Sequence, residues 1–122
     1  MSLVDVGRLK YIAEVEFPNI VEEAIVPFAN ELRIILKDRS FVDVWFSLKL
    51  SGRYSYRWER RGIDGRIFRH DNAPHKSWQF VTTFPKHFHD GSEDIVSESR
   101  ISDAPDEALR EFLSFVREKM TV

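Results

Sequence analysis

All four histidines of the chain, His70, His75, His87 and His89, fall between Arg69 and His89. Asp71, Asn72, Lys76 and Lys86 lie in the same stretch. Imidazole takes and gives protons near neutral pH. Arginine and lysine beside it stabilise concentrated negative charge. Together these residue types suit metal-free phosphodiester cleavage. One group takes the 2′-hydroxyl proton, another protonates the leaving oxygen, and cations hold the phosphate. His75, His87 and His89 are the candidate acid/base groups, with Arg69 and Lys86 on phosphate. Asp71 has two readings. It orients an imidazole or a guanidinium, or it braces the loop with Asn72 through side-chain to backbone bonds. Asn72 is otherwise a candidate substrate contact.

His87 and His89 stand two apart, so an extended segment points both the same way. With His75 or Asp71 they offer three ligands for zinc or another transition metal. The spacing matches no specific metal pattern, so neither a metal nor a cofactor is assigned.

The elements that carry these residues follow from periodicity. Pro74, Pro85 and scattered Asn, Ser and Thr disfavour a long helix or a central strand between Arg69 and His89. The stretch reads as a long ordered loop, and long ordered loops are commonly functional. Before it, Leu32, Ile34 and Leu36 alternate with Arg33, Ile35 and Lys37. After a turn at Lys37–Ser40, Val42, Val44, Phe46 and Leu48 alternate with Phe41, Asp43, Trp45 and Ser47. Tyr54, Tyr56 and Trp58 follow the Ser51-Gly52 turn, and Arg66–His70 returns as a strand after Asp64-Gly65. Ile20–Val26 is ambiguous and leans to a strand interrupted at Pro27. Ile95-Val96 suggests a short strand.

Two segments read as helices. Apolar residues between Val4 and Val15 fit a short amphipathic helix that Gly7 weakens and Pro18 ends. At the other end, Ser102 or Asp103 precedes Pro105, Asp106 and Glu107, a helix start. Ala104, Ala108, Leu109, Phe112, Leu113 and Val116 then form one apolar stripe. The expected fold is α+β: an antiparallel meander of four to five strands, packed by a C-terminal helix and a short N-terminal helix, in a single domain over 1–122. The aromatic stripe of Tyr54, Tyr56 and Trp58 belongs beneath the C-terminal helix. Tyr56 is also a candidate for stacking on a base.

The net charge of −2 is unevenly spread. Residues 53–89 carry eight Lys/Arg against three acids, whereas residues 90–122 carry four against nine. A basic middle in an acidic chain suits an anionic ligand, although the two blocks also neutralise each other. There is no cysteine, which removes disulfides, thiolate metal sites and thiol nucleophiles. No apolar run approaches the roughly 20 residues of a membrane helix. No secretory signal is visible, so the expected location is cytoplasmic, without a membrane partner.

Three ordered motifs carry a resemblance: Tyr54-Ser-Tyr-Arg-Trp58, Arg69-His-Asp-Asn-Ala-Pro-His75, and Thr83-Phe-Pro-Lys-His-Phe-His89-Asp-Gly91. Over about residues 30–120 the chain resembles small prokaryotic proteins of the TumE type, the toxin component of a type II toxin–antitoxin pair. Many relatives have paired histidines after the proline, where this chain has His75 followed by Lys76 and Lys86 before His87. The resemblance implies a toxin with a cognate antitoxin partner and a target in RNA or the translation machinery. Read with the histidines, this gives RNA cleavage as the leading expectation. A non-catalytic nucleic-acid or protein-binding module and a metal-dependent hydrolase are the alternatives. An edge strand or the acidic last third is expected to contact the antitoxin, and an edge also admits a homodimer.

Overall fold

A computed structural model describes residues 3–120. The chain runs α1 (Val6–Glu16), β1 (Val21–Phe28), β2 (Glu31–Leu36), β3 (Phe41–Phe46), β4 (Tyr54–Arg60), α2 (Arg61–Asp64), β5 (Arg66–Asp71), a 3-10 turn (Lys76–Trp78), β6 (His87–Gly91), β7 (Val96–Glu98) and α3 (Pro105–Met120). All seven strands form one antiparallel sheet in sequence order. The fold is therefore α+β with a meander and both expected helices. The sheet has seven strands, not four or five.

The strand expected over Ile20–Val26 is present as β1, and the remaining differences have physical reasons. β1 runs through Pro27 to Phe28, whereas a break there is expected from the sequence. It is an edge strand, where a missing N–H costs no ladder bond, and its register shifts between Ile25 and Phe28. The stretch read as a loop from Arg69 to His89 is strand at both ends. β5 extends to Asp71 and β6 begins at His87, so the true connection covers only residues 72–86. His87, His89, Asp90 and Gly91 give β6 no strand signature, and Pro85 stands just before it. Its Phe88 does point inward, stacking 6.4 Å from Phe68.

Alternation decides which face is covered. Leu32, Ile34, Leu36, Val42, Val44, Phe46, Tyr54, Tyr56, Trp58 and Phe68 all face one way and are buried. α1 brings Val6, Leu9, Ile12 and Ala13 against them, and α3 brings Ala108, Leu109, Phe112, Leu113 and Val116. Asp5 caps α1 by accepting the Arg8 amide at 3.1 Å. Ser102 accepts the Ala104 amide just before Pro105 opens α3. Buried Trp58 satisfies its indole N–H on Ser40 Oγ at 2.8 Å. Gly65 leaves α2 with φ +79°, a left-handed turn that glycine adopts without strain and that lets β5 return beside β4.

The opposite face has two halves. Over β5 and β6 the connection 72–86 lies across it. Ile67 and Val81 are buried there, outside the main core. Over β2 to β4 no helix or connection of the described residues lies across the face, which carries Arg33, Asp43 and Arg57 beside Phe41 and Trp45.

Candidate active site

Register builds the site. Arg33, Asp43, Arg57, Arg69 and His89 are successive cross-strand partners from β2 to β6. Trp45, Ser55, Asp71 and His87 form the neighbouring row. Both rows occupy the face away from the helices. Strand parity thus gathers residues separated by up to 56 positions into one polar strip.

At the covered end of the strip Asp71, His87 and His89 are buried together, with His87 and His89 each only 1% exposed. The two imidazole centres are 5.0 Å apart. His87 Nδ1 lies 2.8 Å from the Pro85 carbonyl, and its Nε2 lies 3.1 Å from Asp71 Oδ1. Both partners are acceptors, an arrangement that suits a ring donating from both nitrogens, the imidazolium form. Burial opposes that charge. The Asp71 hydrogen bond and the Pro85 carbonyl outweigh it and raise the His87 pKa. His89 is the reverse. Its Nδ1 donates to the Glu93 carbonyl at 2.9 Å, while Arg69 donates to its Nε2 at 3.0 Å. This arrangement suits a neutral ring, and burial together with the Arg69 charge lowers its pKa, the Glu93 bond opposing.

Arg69 closes the cluster. Its Nε donates to Asp71 Oδ2 at 2.8 Å, and its two terminal nitrogens grip Glu93 at 2.7 and 3.0 Å. Burial alone would raise the Asp71 carboxyl. Hydrogen bonds from His87, Arg69 and the Ala73 amide hold it at about 2 instead. Trp78 covers the pair, 5.5 Å edge-on to His89 and 6.1 Å from His87. Both readings of Asp71 hold at once, because it binds the imidazole and the arginine and also caps the loop through Ala73.

The other residues singled out in sequence are dispersed. His75 is exposed. Its Nδ1 accepts the Ser77 amide at 3.2 Å, and its ring lies 6.0 Å from Trp78. Asn72 braces the strand ends, accepting the Tyr54 amide at 2.9 Å and donating to the Gly52 carbonyl at 2.8 Å. Lys86 donates to the Ile101 carbonyl and pairs with Asp103 at 3.1 Å, which ties the connection to the start of α3. Tyr56 lies on the helix-covered face against Phe46, Tyr54 and Phe112, because it shares the parity of Tyr54 and Trp58. His70, not chosen from sequence, is on that same face. It stacks 4.3 Å from Phe88 and bonds Ser99 Oγ at 2.7 Å.

Three contributors escaped the sequence reading: Glu93, Trp45 and the Pro85 carbonyl. Glu93 sits in a polar turn that carries no signal of its own. Trp45 gave one, an aromatic at an outward-facing strand position. It is 38% exposed over a groove of about 330 Å³ that also touches Glu31, Asp43, Ser55, Arg57 and Arg69. Arg69 is common to groove and cluster.

An α+β meander with a buried Asp–His–His–Arg centre beside an open arginine-lined groove defines the class of molecule. The chain belongs to the TumE toxin family, whose family model, described as Toxin TumE, matches residues 8–120. No curated protein and no solved structure matches the chain. Among the described residues, no helix is long and apolar enough to cross a membrane.

Proposed function

We propose that this toxin cleaves the phosphodiester backbone of RNA at the Asp71–His87–His89–Arg69 cluster. The observation that carries this reading is the opposite hydrogen-bond surroundings of two adjacent imidazoles, two acceptors on His87 against an acceptor and a donor on His89, which suit a paired acid and base. Neutral His89 takes the 2′-hydroxyl proton as that oxygen attacks phosphorus. Imidazolium His87 gives its Nε2 proton to the departing 5′-oxygen. The products are a 2′,3′-cyclic phosphate and a 5′-hydroxyl, with one proton moved in and one out. Arg69 neutralises the phosphorane, and Asp71 keeps His87 charged and aimed.

Substrate reaches these atoms from the groove. A base stacks on Trp45, a neighbouring phosphate meets Arg57, and the scissile phosphate replaces Glu93 on Arg69. Glu93 is exposed enough to yield, its side chain being 45% accessible. Trp78 must swing aside, and His75 and Lys76 on the same connection meet flanking phosphate.

A cognate antitoxin goes with membership of a toxin family. Edge strand β1 exposes Ile25, Val26 and Phe28, which suits strand addition by an antitoxin segment or by a second copy.

The test is incubation with structured and unstructured RNA in EDTA, beside the His87→Ala protein. Wild type is expected to cut in EDTA and leave cyclic phosphate ends, and the variant to leave RNA intact. Cutting only with added metal overturns the metal-free mechanism. Salt-sensitive binding without products overturns cleavage and leaves a binding module.

A further inference from the structure

We propose that Asp71, His87 and His89 also form a binding site for one divalent ion of the zinc class, entered by displacing the Arg69 guanidinium. The donor atoms converge: one nitrogen of each imidazole and a carboxylate oxygen all lie within 4.8 Å of one another, and all three residues are buried. His87 Nε2 is 3.1 Å from Asp71 Oδ1, and His89 Nε2 is 3.9 Å from Asp71 Oδ2. Ligand atoms around tetrahedral zinc are about 3.3 Å apart, given bond lengths near 2.0–2.1 Å. Donor separations of up to 4.8 Å must therefore shorten by as much as about 1.5 Å to close the shell, within reach of side-chain rotation.

The outer contacts are those a metal-binding histidine needs. Each Nδ1 is committed to a main-chain carbonyl, Pro85 for His87 and Glu93 for His89. Such bonds fix the ring and leave Nε2 to the ion. The two carbonyls come from opposite ends of β6, so both rings are set by backbone and not by the ion. Two nitrogens and one carboxylate form a borderline donor set that favours Zn2+ or Co2+ over Ca2+ or Mg2+. Three protein ligands leave a further position open.

A cation already meets these donors. Arg69 donates to His89 Nε2 and to Asp71 Oδ2, so its charge stands where the ion would bring two. Glu93 holds the guanidinium there from the solvent side. Exchange needs Arg69 to break from Glu93 and turn outward, and His87 to release its Nε2 proton. Zinc affinity therefore falls as pH drops. An ion on both Nε2 atoms leaves no imidazole free to move a proton, so a loaded site and the metal-free cleavage step exclude each other.

The test uses the whole chain, stripped with chelator, and follows Zn2+ by titration calorimetry and Co2+ by its visible absorption. No RNA is present, so failure of binding and failure of cleavage are read separately. One ion per chain is expected. Binding should disappear in His87→Ala and His89→Ala proteins that retain the wild-type circular dichroism, and persist in His75→Ala. Should those variants unfold, Glu93→Gln decides. The replaced carboxylate meets Arg69 and none of the three ligands, since His89 is held by the Glu93 main-chain carbonyl, so the change frees Arg69 and Zn2+ should bind about tenfold tighter, the worth of roughly one charge-assisted hydrogen bond. No bound ion in wild type, an ion retained after loss of both histidines, or unchanged affinity in Glu93→Gln overturns the inference.

Discussion

The imidazoles of His87 and His89 lie 5.0 Å apart on one strand, yet their nitrogens meet opposite partners. His87 faces two acceptors, and His89 faces one acceptor and the donor Arg69. In metal-free protein at pH 7, nitrogen NMR should therefore show both His87 nitrogens protonated and His89 protonated at Nδ1 alone. Two identical neutral rings would remove the division of acid and base.

Asp71 is the charge on which the cluster balances. It accepts from His87, Arg69 and the Ala73 amide while nearly buried. Asp71→Asn leaves buried His87 and half-buried Arg69 facing a neutral amide. Breaking one side of a buried ion pair costs about 3–5 kcal/mol. A loss near 3 kcal/mol in urea-monitored unfolding is expected, and a loss below about 1 kcal/mol would mean that solvent reaches the cluster.

How far the sequence reveals this arrangement depends on the residue. His87-Phe88-His89 carries its own geometry, because period two aims both imidazoles one way once the segment is extended. The apolar stripe of α3 likewise has one interpretation. Asp71 to His87 pairing is different. It depends on the register between β5 and β6, and nothing local to a Pro-containing, histidine-rich stretch states that it is strand at all. Arg57 beside Arg69 is hidden for the same reason, since cross-strand distance is not sequence distance. Glu93 is one acid among several in a polar turn, and only the reach of Arg69 selects it.

Phe112 joins the two sides of the core. It is 1% exposed and packs 6.3 Å from Tyr56 and 5.7 Å edge-on to His70. Truncating a buried phenylalanine costs about 3–5 kcal/mol through lost burial and the cavity left behind. Phe112→Ala should fall in that range by denaturant unfolding. A cost under about 1 kcal/mol would show that α3 is not the main cover of the sheet.

His70 gives the fold a sensitivity to acid. Burial against Phe88 and Phe112, with the Lys86 charge adding to it, pushes its pKa down to about 4, despite the opposing pull of Asp71. The unfolded chain takes that proton near pH 6.5, the folded chain only near 4. Between those values the unfolded state binds more protons, so stability falls as pH falls, and above about 6.5 this contribution is flat. The loss amounts to roughly 2–3 kcal/mol at 1.36 kcal/mol per pH unit, discounted for partial exposure. His87 works in the other sense, because its raised pKa contributes stability that is lost as pH rises, and Asp71 stays ionised throughout the window. The comparison is therefore between wild type and His70→Gln, measured at pH 7 and pH 4.5. The variant should lose less stability on acidification by about that amount, and equal losses would place the charge elsewhere.

Trp45 separates substrate binding from folding. It projects from the open half of the sheet, shares its groove with Arg57 and Arg69, and is the cross-strand partner of Ser55 in the row that ends at Asp71 and His87. A partly exposed side chain outside the core contributes little to stability, so Trp45→Ala should shift unfolding by no more than about 0.5 kcal/mol. Base stacking on an aromatic ring is worth about 1–3 kcal/mol, which makes the expected weakening of single-stranded RNA binding about 5- to 150-fold. Trp45→Phe keeps a stacking face and should recover most of it. Fluorescence anisotropy with a labelled oligoribonucleotide, repeated at two salt concentrations, distinguishes stacking from phosphate attraction. The stacking loss is the same at both, whereas removal of Arg57 flattens the salt dependence. If Trp45→Ala binds RNA as tightly as wild type, the groove is not the route to the cluster, and substrate must approach from beneath Trp78.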